Sequence, residues 1–155
     1  MNYDVWGSFS ATVGPNAPLN DSCASSTAYQ QGSAVSAVQA WTKAGFPANK
    51  IILGVPSYTH SFRVNQSDAL DASGNLKLFP PFNKGDQPAG DKWDGTAGGV
   101  DTCGNPNVVG GVFQFWGLIE AGFLRSNGTP SCEVYSTFDS CSMTVRALRT
   151  HGNYD

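Results

Sequence analysis

The sequence is short of charged residues, and this shortage excludes several classes of protein. Only 14% of its 155 residues are charged, against roughly a quarter in a typical soluble domain. Nine basic residues stand against twelve acidic ones, the net charge is −3, and no two basic residues are adjacent. Nucleic acids and anionic membranes are therefore not expected partners, because both are bound through clusters of Lys and Arg.

Long apolar runs are also missing. The longest, Ile51–Pro56, is far short of the roughly 18 residues that a membrane span needs. The first residues, Met1–Trp6, lack the basic start and the apolar stretch of a secretion signal. Membrane insertion is therefore not expected, and either a leader lies upstream of this sequence or the protein is not secreted.

The motifs of familiar catalytic and metal sites are missing as well. The sequence has no G-x-S-x-G, no H-E-x-x-H, no phosphate-binding loop and no dinucleotide-binding glycine pattern. Only two residues are Glu, and neither Glu120 nor Glu133 lies in an acidic cluster; we expect Glu120 on the exposed face of a short helix. No C-x-x-C pair occurs, and neither His60 nor His151 stands at zinc-ligand spacing from a cysteine, so we expect no metal and no cofactor.

Three glycosylation sequons are present. They begin at Asn20, Asn65 and Asn127. Each lies in polar, turn-forming sequence, where a glycan would be exposed to solvent. Together with four cysteines and a high content of Gly, Pro and aromatic residues, the sequons favour a secreted, loop-rich protein of an oxidising compartment.

The four cysteines allow three disulfide connectivities. They lie at positions 23, 103, 132 and 141. We expect the short loop Cys132–Cys141 to close, which leaves Cys23 to pair with Cys103.

Hydrophobic patterning predicts a βαβ unit in the first third of the chain. Met1–Trp6 alternates apolar and polar residues before a Gly-Ser break, which is typical of the end of a strand. Apolar residues at helical spacing predict a short amphipathic helix over Ser33–Lys43, which stops at Gly45. Ile51–Val55 is apolar on both faces, as in a parallel strand covered on two sides.

Periodicity fails for about fifty residues beyond Tyr58, where Gly, Pro and Asn punctuate short apolar clusters. We expect a small antiparallel subdomain here. The stretch 110–119 predicts a strand that runs into a short helix ending near Gly122. Residues 125–155 are turn-rich, and we expect the last of them, 149–155, to be poorly ordered. The sequence contains no internal repeat.

Polar and aromatic side chains gather at the ends of the two expected strands. Tyr3 and Asp4 reach a ligand together only if the strand end twists; otherwise Tyr3 is a core residue and Asp4 a turn cap. Tyr58, His60 and Phe62 alternate on one face, which fits either a binding surface or a core with a hydrogen-bonded His. Three tryptophans have rings that suit sugar stacking, although burial is their commoner fate: Trp6, Trp93 and Trp116.

Four stretches carry recognisable motifs in order: Met1–Gly7 (MNYDVWG), Val13–Leu19 (VGPNAPL), Trp41–Tyr58 (WTKAGFPANKIILGVPSY) and Gly110–Trp116 (GGVFQFW). Together they resemble the chitinases of glycoside hydrolase family 18, in particular the fungal secreted kind. The resemblance covers about residues 1–142. Residues 143–155 do not resemble the family.

The resemblance implies an α/β fold, because the family folds as a (β/α)₈ barrel. It implies a partial TIM barrel made of strands 6 and 7 with helix 6, which carries an α+β chitinase insertion subdomain. The implied organisation is a barrel segment at 1–61, the insertion at 62–124, and a C-terminal segment at 125–155 that stops before strand 8. A complete barrel takes about 250 residues, so we expect part of a barrel that is monomeric if it folds.

The resemblance also implies chitin chemistry. In this family a Glu protonates the glycosidic oxygen while the N-acetyl carbonyl of the substrate attacks the anomeric carbon. The D-x-x-D-x-D-x-E motif that carries this Glu does not occur in the sequence. Tyr3 and Asp4 match the helper residues that hold the N-acetyl group, whereas Thr59 stands where a Gly is usual. The implied substrate-contacting residues are Tyr3, Asp4, Tyr58, Met1 and Trp6.

Three functions remain open. The chain is part of a secreted, extracellular chitinase that hydrolyses β-1,4-linked N-acetylglucosamine only with the rest of its barrel, or a non-catalytic protein that binds chitin oligomers. The third alternative is a nonfunctional truncated product. This last would expose Ile51, Ile52 and Val55 and aggregate.

Overall fold

The computed structural model describes residues 1–95 and 97–150. Its helices are α1 (Ala34–Lys43), α2 (Gln66–Ala69) and α3 (Phe115–Glu120), with 3₁₀ turns at Thr27–Tyr29 and Ala48–Lys50. Its strands are β1 (Tyr58–His60), β2 (Val112–Gln114), β3 (Tyr135–Asp139) and β4 (Thr144–Leu148). β1 pairs antiparallel with β2, and β3 with β4. In the described part of the chain, no helix has both the length and the apolarity to cross a membrane.

Helix α1 confirms the helix predicted from Ser33. Ser33 caps it through a reciprocal pair of hydrogen bonds with Ser36, and the Ser33 hydroxyl also donates to the buried Asp21 carboxylate at 2.8 Å. The helix stops before Gly45, whose φ of +93° suits a residue without a side chain. Its C-terminal half is exposed, and Trp41 keeps 60% of its surface in solvent.

The sequence also predicted β2 and α3 correctly, as a strand that runs into a short helix ending near Gly122. Pairing of β2 with β1 then brings the end of this strand against Tyr58, since Tyr58 lies opposite Gln114. Thr59, at the position where the resemblance implied Gly, lies in regular strand opposite Phe113. The β1–β2 pair is therefore the element that positions Tyr58 and His60.

Two predicted strands, Met1–Trp6 and Ile51–Val55, do not form. Within the described residues, one backbone hydrogen bond joins these segments, from Asn2 N to Gly54 O at 2.9 Å. A ladder needs successive bonds, and Asp4 leaves the extended conformation with a φ of +55°. Ile52 is 93% exposed, so the two-sided cover that its sequence suggested is not supplied by the described chain.

The core is small and aromatic. Trp6 is 3% exposed and packs against Tyr29 and Phe79, whose rings stack with centroids 4.0 Å apart. The guanidinium of Arg146, buried on β4, lies 4.9 Å from the centroid of the Phe79 ring. The core thus joins the first residues of the chain to the C-terminal hairpin.

The predicted disulfides are wrong. The structure links Cys23 to Cys141, while Cys103 and Cys132 are exposed free thiols. The reason is a long-range contact: Leu19 N donates to Ser142 O at 2.9 Å, which brings the turn of the hairpin onto the loop that carries Cys23. Short separation in sequence did not mean proximity in space.

The hairpin of β3 and β4 corrects the expectation that residues 125–155 are only turn-rich. The Asp139 carboxylate stabilises its turn by accepting from Cys141 N at 3.0 Å and from the Ser142 hydroxyl at 2.6 Å. Arg149 is anchored through a hydrogen bond to Ala121 O. His151 and the rest of the tail, residues 151–155, lie outside the described residues.

Three hairpin turns share one design that sequence inspection missed. They are closed by the isolated bridges Leu70–Leu76, Val100–Pro106 and Leu124–Pro130. Each has a left-handed glycine at its fifth position: Gly74, Gly104 and Gly128. In the first two, an Asp side chain accepts hydrogen bonds from an Asn four residues later. In the third, Asn127 supplies the accepting side chain.

Candidate functional site

Three side chains, here called the Asp4 cluster, meet beside β1: Asp4, Tyr58 and His60. Asp4 Oδ1 accepts from the Tyr58 hydroxyl at 2.7 Å and lies 2.8 Å from His60 Nε2. Because an ionised carboxylate only accepts, Nε2 is the donor of this hydrogen bond. The prediction that Tyr58 and His60 share one face is confirmed, since both contact Asp4. Phe62 packs instead against Phe82, with ring centroids 4.9 Å apart.

The backbone of Asp4 explains how two adjacent residues reach the same place. Its φ of +55° is left-handed, a region that Asp tolerates better than most residues. While the Asp4 carboxylate bonds to the Tyr58 hydroxyl, the ring of Tyr3 packs edge-on against that of Tyr58, with centroids 6.3 Å apart. The sequence predicts that Tyr3 and Asp4 reach a ligand together only if the backbone twists at this point, and the left-handed conformation of Asp4 supplies that twist.

Asn16 ties the two parts of the cluster together. Its Oδ1 accepts from Asp4 N at 2.9 Å, and its Nδ2 donates to Tyr58 O at 2.9 Å. Its own carbonyl accepts from Val5 N at 3.2 Å. Sequence reasoning missed Asn16 because it lies in a loop rich in Pro and Gly. The only signal was a carboxamide within the matched stretch Val13–Leu19.

Contacts within the cluster move two pKa values in opposite directions. Partial burial raises the pKa of Asp4, but hydrogen bonds from Tyr58 and His60 outweigh it and the pKa lies below its ordinary value. Burial, followed by the hydrogen bond to the Asp4 carboxylate, raises the pKa of Tyr58 to about 12. At neutral pH the cluster therefore presents an ionised carboxylate beside a protonated phenol.

Two polar atoms of this region are available to a ligand. The Asp4 side chain is 50% exposed, and its Oδ2 accepts no hydrogen bond from a described residue. The Tyr3 hydroxyl likewise makes no hydrogen bond within the described part of the chain, although the neighbouring Tyr58 hydroxyl is engaged. The site thus offers an acceptor for an N–H or O–H group, with a phenol and apolar ring surface nearby.

Other predicted site residues lie elsewhere. Trp6 is in the core, and Met1 has a side chain that is 92% exposed. Neither Glu belongs to the Asp4 cluster: Glu120 pairs with Lys92 at 3.1 Å, and Glu133 with Arg149 at 3.6 Å. Glu120 ends α3 with its side chain exposed, as predicted.

The structure brings Trp93 and Trp116 together on the surface. Their rings meet edge-on with centroids 6.4 Å apart, and Lys92 Nζ lies 5.0 Å from the centroid of Trp116. Asp91 holds the loop that carries Trp93: its carboxylate accepts from Trp93 N at 2.9 Å and from Gln114 N at 2.6 Å. Trp93 is 74% exposed, so this pair offers an aromatic surface to solvent.

Comparison with known proteins gives one consistent family. The profile of the glycosyl hydrolases family 18 matches residues 1–150. The match continues past residue 142, so the expected loss of resemblance from residue 143 onward is wrong for residues 143–150. A chitinase-like effector of Moniliophthora roreri is 57% identical over 146 residues, which cover 93% of this chain and 35% of that protein. One from Moniliophthora perniciosa is 53% identical over 146 residues, covering 94% and 32%.

Solved structures of chitinases also match this chain. A chitinase from Rhizomucor miehei is 31% identical with a TM-score of 0.77, over 96% of this chain and 38% of that one. The Ostrinia furnacalis Group IV chitinase, solved in complex with allosamidin, is 23% identical with a TM-score of 0.57 and shows the shared fold alone. This chain spans about a third of the length of the effectors that it matches. Its fold is consistent with a fragment derived from a TIM barrel.

Proposed function

Because the chain belongs to glycosyl hydrolase family 18, we propose that it binds oligomers of β-1,4-linked N-acetylglucosamine through the Asp4 cluster and Tyr3 without hydrolysing them by itself. The observation that carries this proposal is the pair of available polar atoms, Asp4 Oδ2 and the Tyr3 hydroxyl, beside the Tyr58 ring. An N-acetyl group supplies an N–H donor for the carboxylate and a carbonyl acceptor for a phenol. A sugar ring supplies C–H surface for the aromatic faces.

Asp4 is suited to this role by its ionisation. Like an ordinary Asp it is charged at neutral pH, and its lowered pKa extends this to more acidic pH, so that Oδ2 can accept a hydrogen bond from the ligand while Oδ1 is occupied by Tyr58 and His60. Charge-assisted hydrogen bonds are stronger than neutral ones. His60 and Tyr58 then act as supports that fix the direction of the carboxylate.

The absence of hydrolysis is part of the proposal, and it is supported by where the two Glu residues lie. A general acid must lie within reach of the glycosidic oxygen and hold its proton near neutral pH. Both Glu residues form surface ion pairs, Glu120 with Lys92 and Glu133 with Arg149. The name chitinase-like effector, which two relatives carry, fits a protein that keeps the chitinase fold for a purpose other than turnover.

A second candidate is a part of a working barrel. On this proposal, residues 1–6 and 51–55 take the places of strands 6 and 7, α1 that of helix 6, and residues 62–124 form the insertion. The exposed Ile52 and Val55 favour it, because further barrel elements would cover them. The same Asp4 cluster would then hold substrate for an acid supplied by the rest of the barrel.

Both candidates place the protein outside the cell. The disulfide between Cys23 and Cys141 suits an oxidising compartment. A chitin-binding protein also meets its ligand, a wall polymer, there.

Calorimetric titration of the purified chain with an N-acetylglucosamine hexamer tests the proposal. We expect Asp4→Ala and Tyr3→Phe each to weaken binding by about 1–3 kcal/mol, because each leaves a ligand group without its partner. Asp86→Ala and Tyr135→Phe are the matched controls, since both side chains are exposed and Asp86 pairs with Arg63, which is outside the cluster; they should leave binding unchanged.

Two results would overturn the proposal. If the wild-type chain shows no binding at millimolar hexamer, the Asp4 cluster is a structural network only. If it releases new reducing ends from the hexamer, the statement about the missing acid is wrong, and Glu120→Gln and Glu133→Gln would identify the acid.

A further inference from the structure

The three sequons differ in what their side-chain nitrogens do. The nitrogen Nδ2 is the atom to which an N-glycan is attached. Asn20 Nδ2 donates to Cys23 Sγ at 3.6 Å, and Asn65 Nδ2 donates to Asp68 Oδ2 at 3.2 Å. Asn127 Nδ2 makes no hydrogen bond within the described residues, so it is the one of the three that stands ready as an acceptor.

The turn around Asn127 holds the rest of the carboxamide in place. Its Oδ1 accepts from Thr129 N at 3.1 Å and from the Thr129 hydroxyl at 2.7 Å. Arg125 N donates to Thr129 O at 2.8 Å and closes the turn below. The oxygen is thus fixed inside the turn, while Asn127 itself is exposed at its tip. A glycan there would extend into solvent without displacing a protein contact.

Asn20 lies in a different setting, although its oxygen also accepts from the hydroxyl of its sequon, Ser22, at 3.1 Å. It is only half-exposed, and the Sγ atom of Cys141 lies 4.0 Å from its carbonyl oxygen. The disulfide between Cys23 and Cys141 therefore closes directly beside this sequon. Once it has formed, the disulfide holds Cys23 Sγ where it accepts the hydrogen bond from Asn20 Nδ2, so that this nitrogen is engaged.

We propose that Asn127 is the principal N-glycan acceptor of the chain and that the Cys23–Cys141 disulfide keeps Asn20 unmodified. In the transfer, Asn127 Nδ2 bonds to the anomeric carbon of a lipid-pyrophosphate-linked oligosaccharide. The bond from that carbon to the pyrophosphate oxygen breaks, the lipid pyrophosphate leaves, and the proton of Nδ2 passes to a base of the transferase. This proposal is independent of sugar binding by the Asp4 cluster.

Secretion of the 155-residue chain from yeast behind a heterologous leader tests it. Enzymatic release of N-glycans in ¹⁸O-water marks each occupied Asn, and mass spectrometry of the peptides gives the occupancy of each sequon. We expect occupancy to be highest at Asn127 and lowest at Asn20. Thr129→Ala should abolish the glycan at Asn127, whereas Ser126→Ala, a neighbouring exposed serine outside the sequon, should retain it.

The second claim, that the disulfide keeps Asn20 unmodified, has its own test. Cys23→Ser combined with Cys141→Ser should raise the occupancy of Asn20. If this variant is not secreted, dithiothreitol added to cells during synthesis of the wild-type chain should have the same effect. Three results would overturn the proposal. Asn127 could be unoccupied in the wild-type chain, or Asn20 could be as fully occupied as Asn127 while the disulfide is intact. The third is that opening the disulfide leaves the occupancy of Asn20 unchanged.

Discussion

Residues 51–55 and the C-terminal hairpin differ in what they bury and expose: the segment 51–55 exposes apolar side chains, whereas the hairpin buries a charged one. The segment 51–55 is apolar, yet Ile52 and Val55 are 93% and 71% exposed. The hairpin instead buries the charged Arg146 against an aromatic ring, pairs along all of β3 and β4, and is locked by a disulfide. The difference teaches that a segment is buried where the rest of the chain packs against it, whatever the hydropathy of the segment.

The largest effect is expected from opening the disulfide that locks the hairpin. It joins residues 118 positions apart, and in the chain-entropy model a loop of this size contributes about 4–5 kcal/mol by restricting the unfolded state. Cys23→Ser with Cys141→Ser should lower the free energy of urea unfolding by about that amount. Cys132→Ser, at an exposed free thiol, is the control and should not change it. Equal stability of the two variants would show that the hairpin holds without its lock.

A smaller effect is expected at Asn16, which joins two segments that sheet pairing does not join. Asn16→Ala removes two hydrogen bonds, one to Asp4 N and one to Tyr58 O, and at about 0.5–1.5 kcal/mol for each bond the loss is about 1–3 kcal/mol. Binding of the N-acetylglucosamine hexamer should weaken as well, because the Asp4 carboxylate loses its fixed direction. Asn83→Ala, in an exposed turn, should leave stability and binding unchanged. If Asn16→Ala binds like the wild type, the Asp4 cluster is held by β1 alone.

How far the sequence predicts this molecule depends on the range of the interactions. Helix α1 and the succession of β2 and α3 follow from local periodicity and capping, which a sequence displays directly. The link from Asp4 to Tyr58 spans 54 positions and that from Asn16 to Tyr58 spans 42. The family resemblance named Asp4 and Tyr58 as substrate-contacting residues but did not predict the contact between them, and Asn16 was missed.

The pKa of Tyr58 gives a third, smaller effect, which depends on pH. Its value in the folded protein, about 12, exceeds the ordinary value near 10, so the folded state keeps a proton that the unfolded state loses. Stability from this group is therefore fully present below about pH 10 and is lost as pH rises toward 12. Tyr58→Phe should remove that loss, seen as a flatter profile of melting temperature between these pH values. Tyr135→Phe should keep the wild-type profile, and a Tyr58→Phe profile as steep as the wild type would contradict the assignment.

The smallest change in stability is expected in the exposed apolar segment 51–55. Ile52 contacts water over almost its whole surface, so Ile52→Ser should alter the free energy of unfolding by less than about 0.5 kcal/mol. The same substitution removes part of an exposed apolar patch, and light scattering should show less self-association at high concentration. Val145→Ser, 58% exposed but on the paired strand β4, is the matched control and should leave self-association as it was. A large loss of stability in Ile52→Ser would mean that this segment is covered in solution, by a second copy of the chain, and that apolar sequence and burial do coincide there.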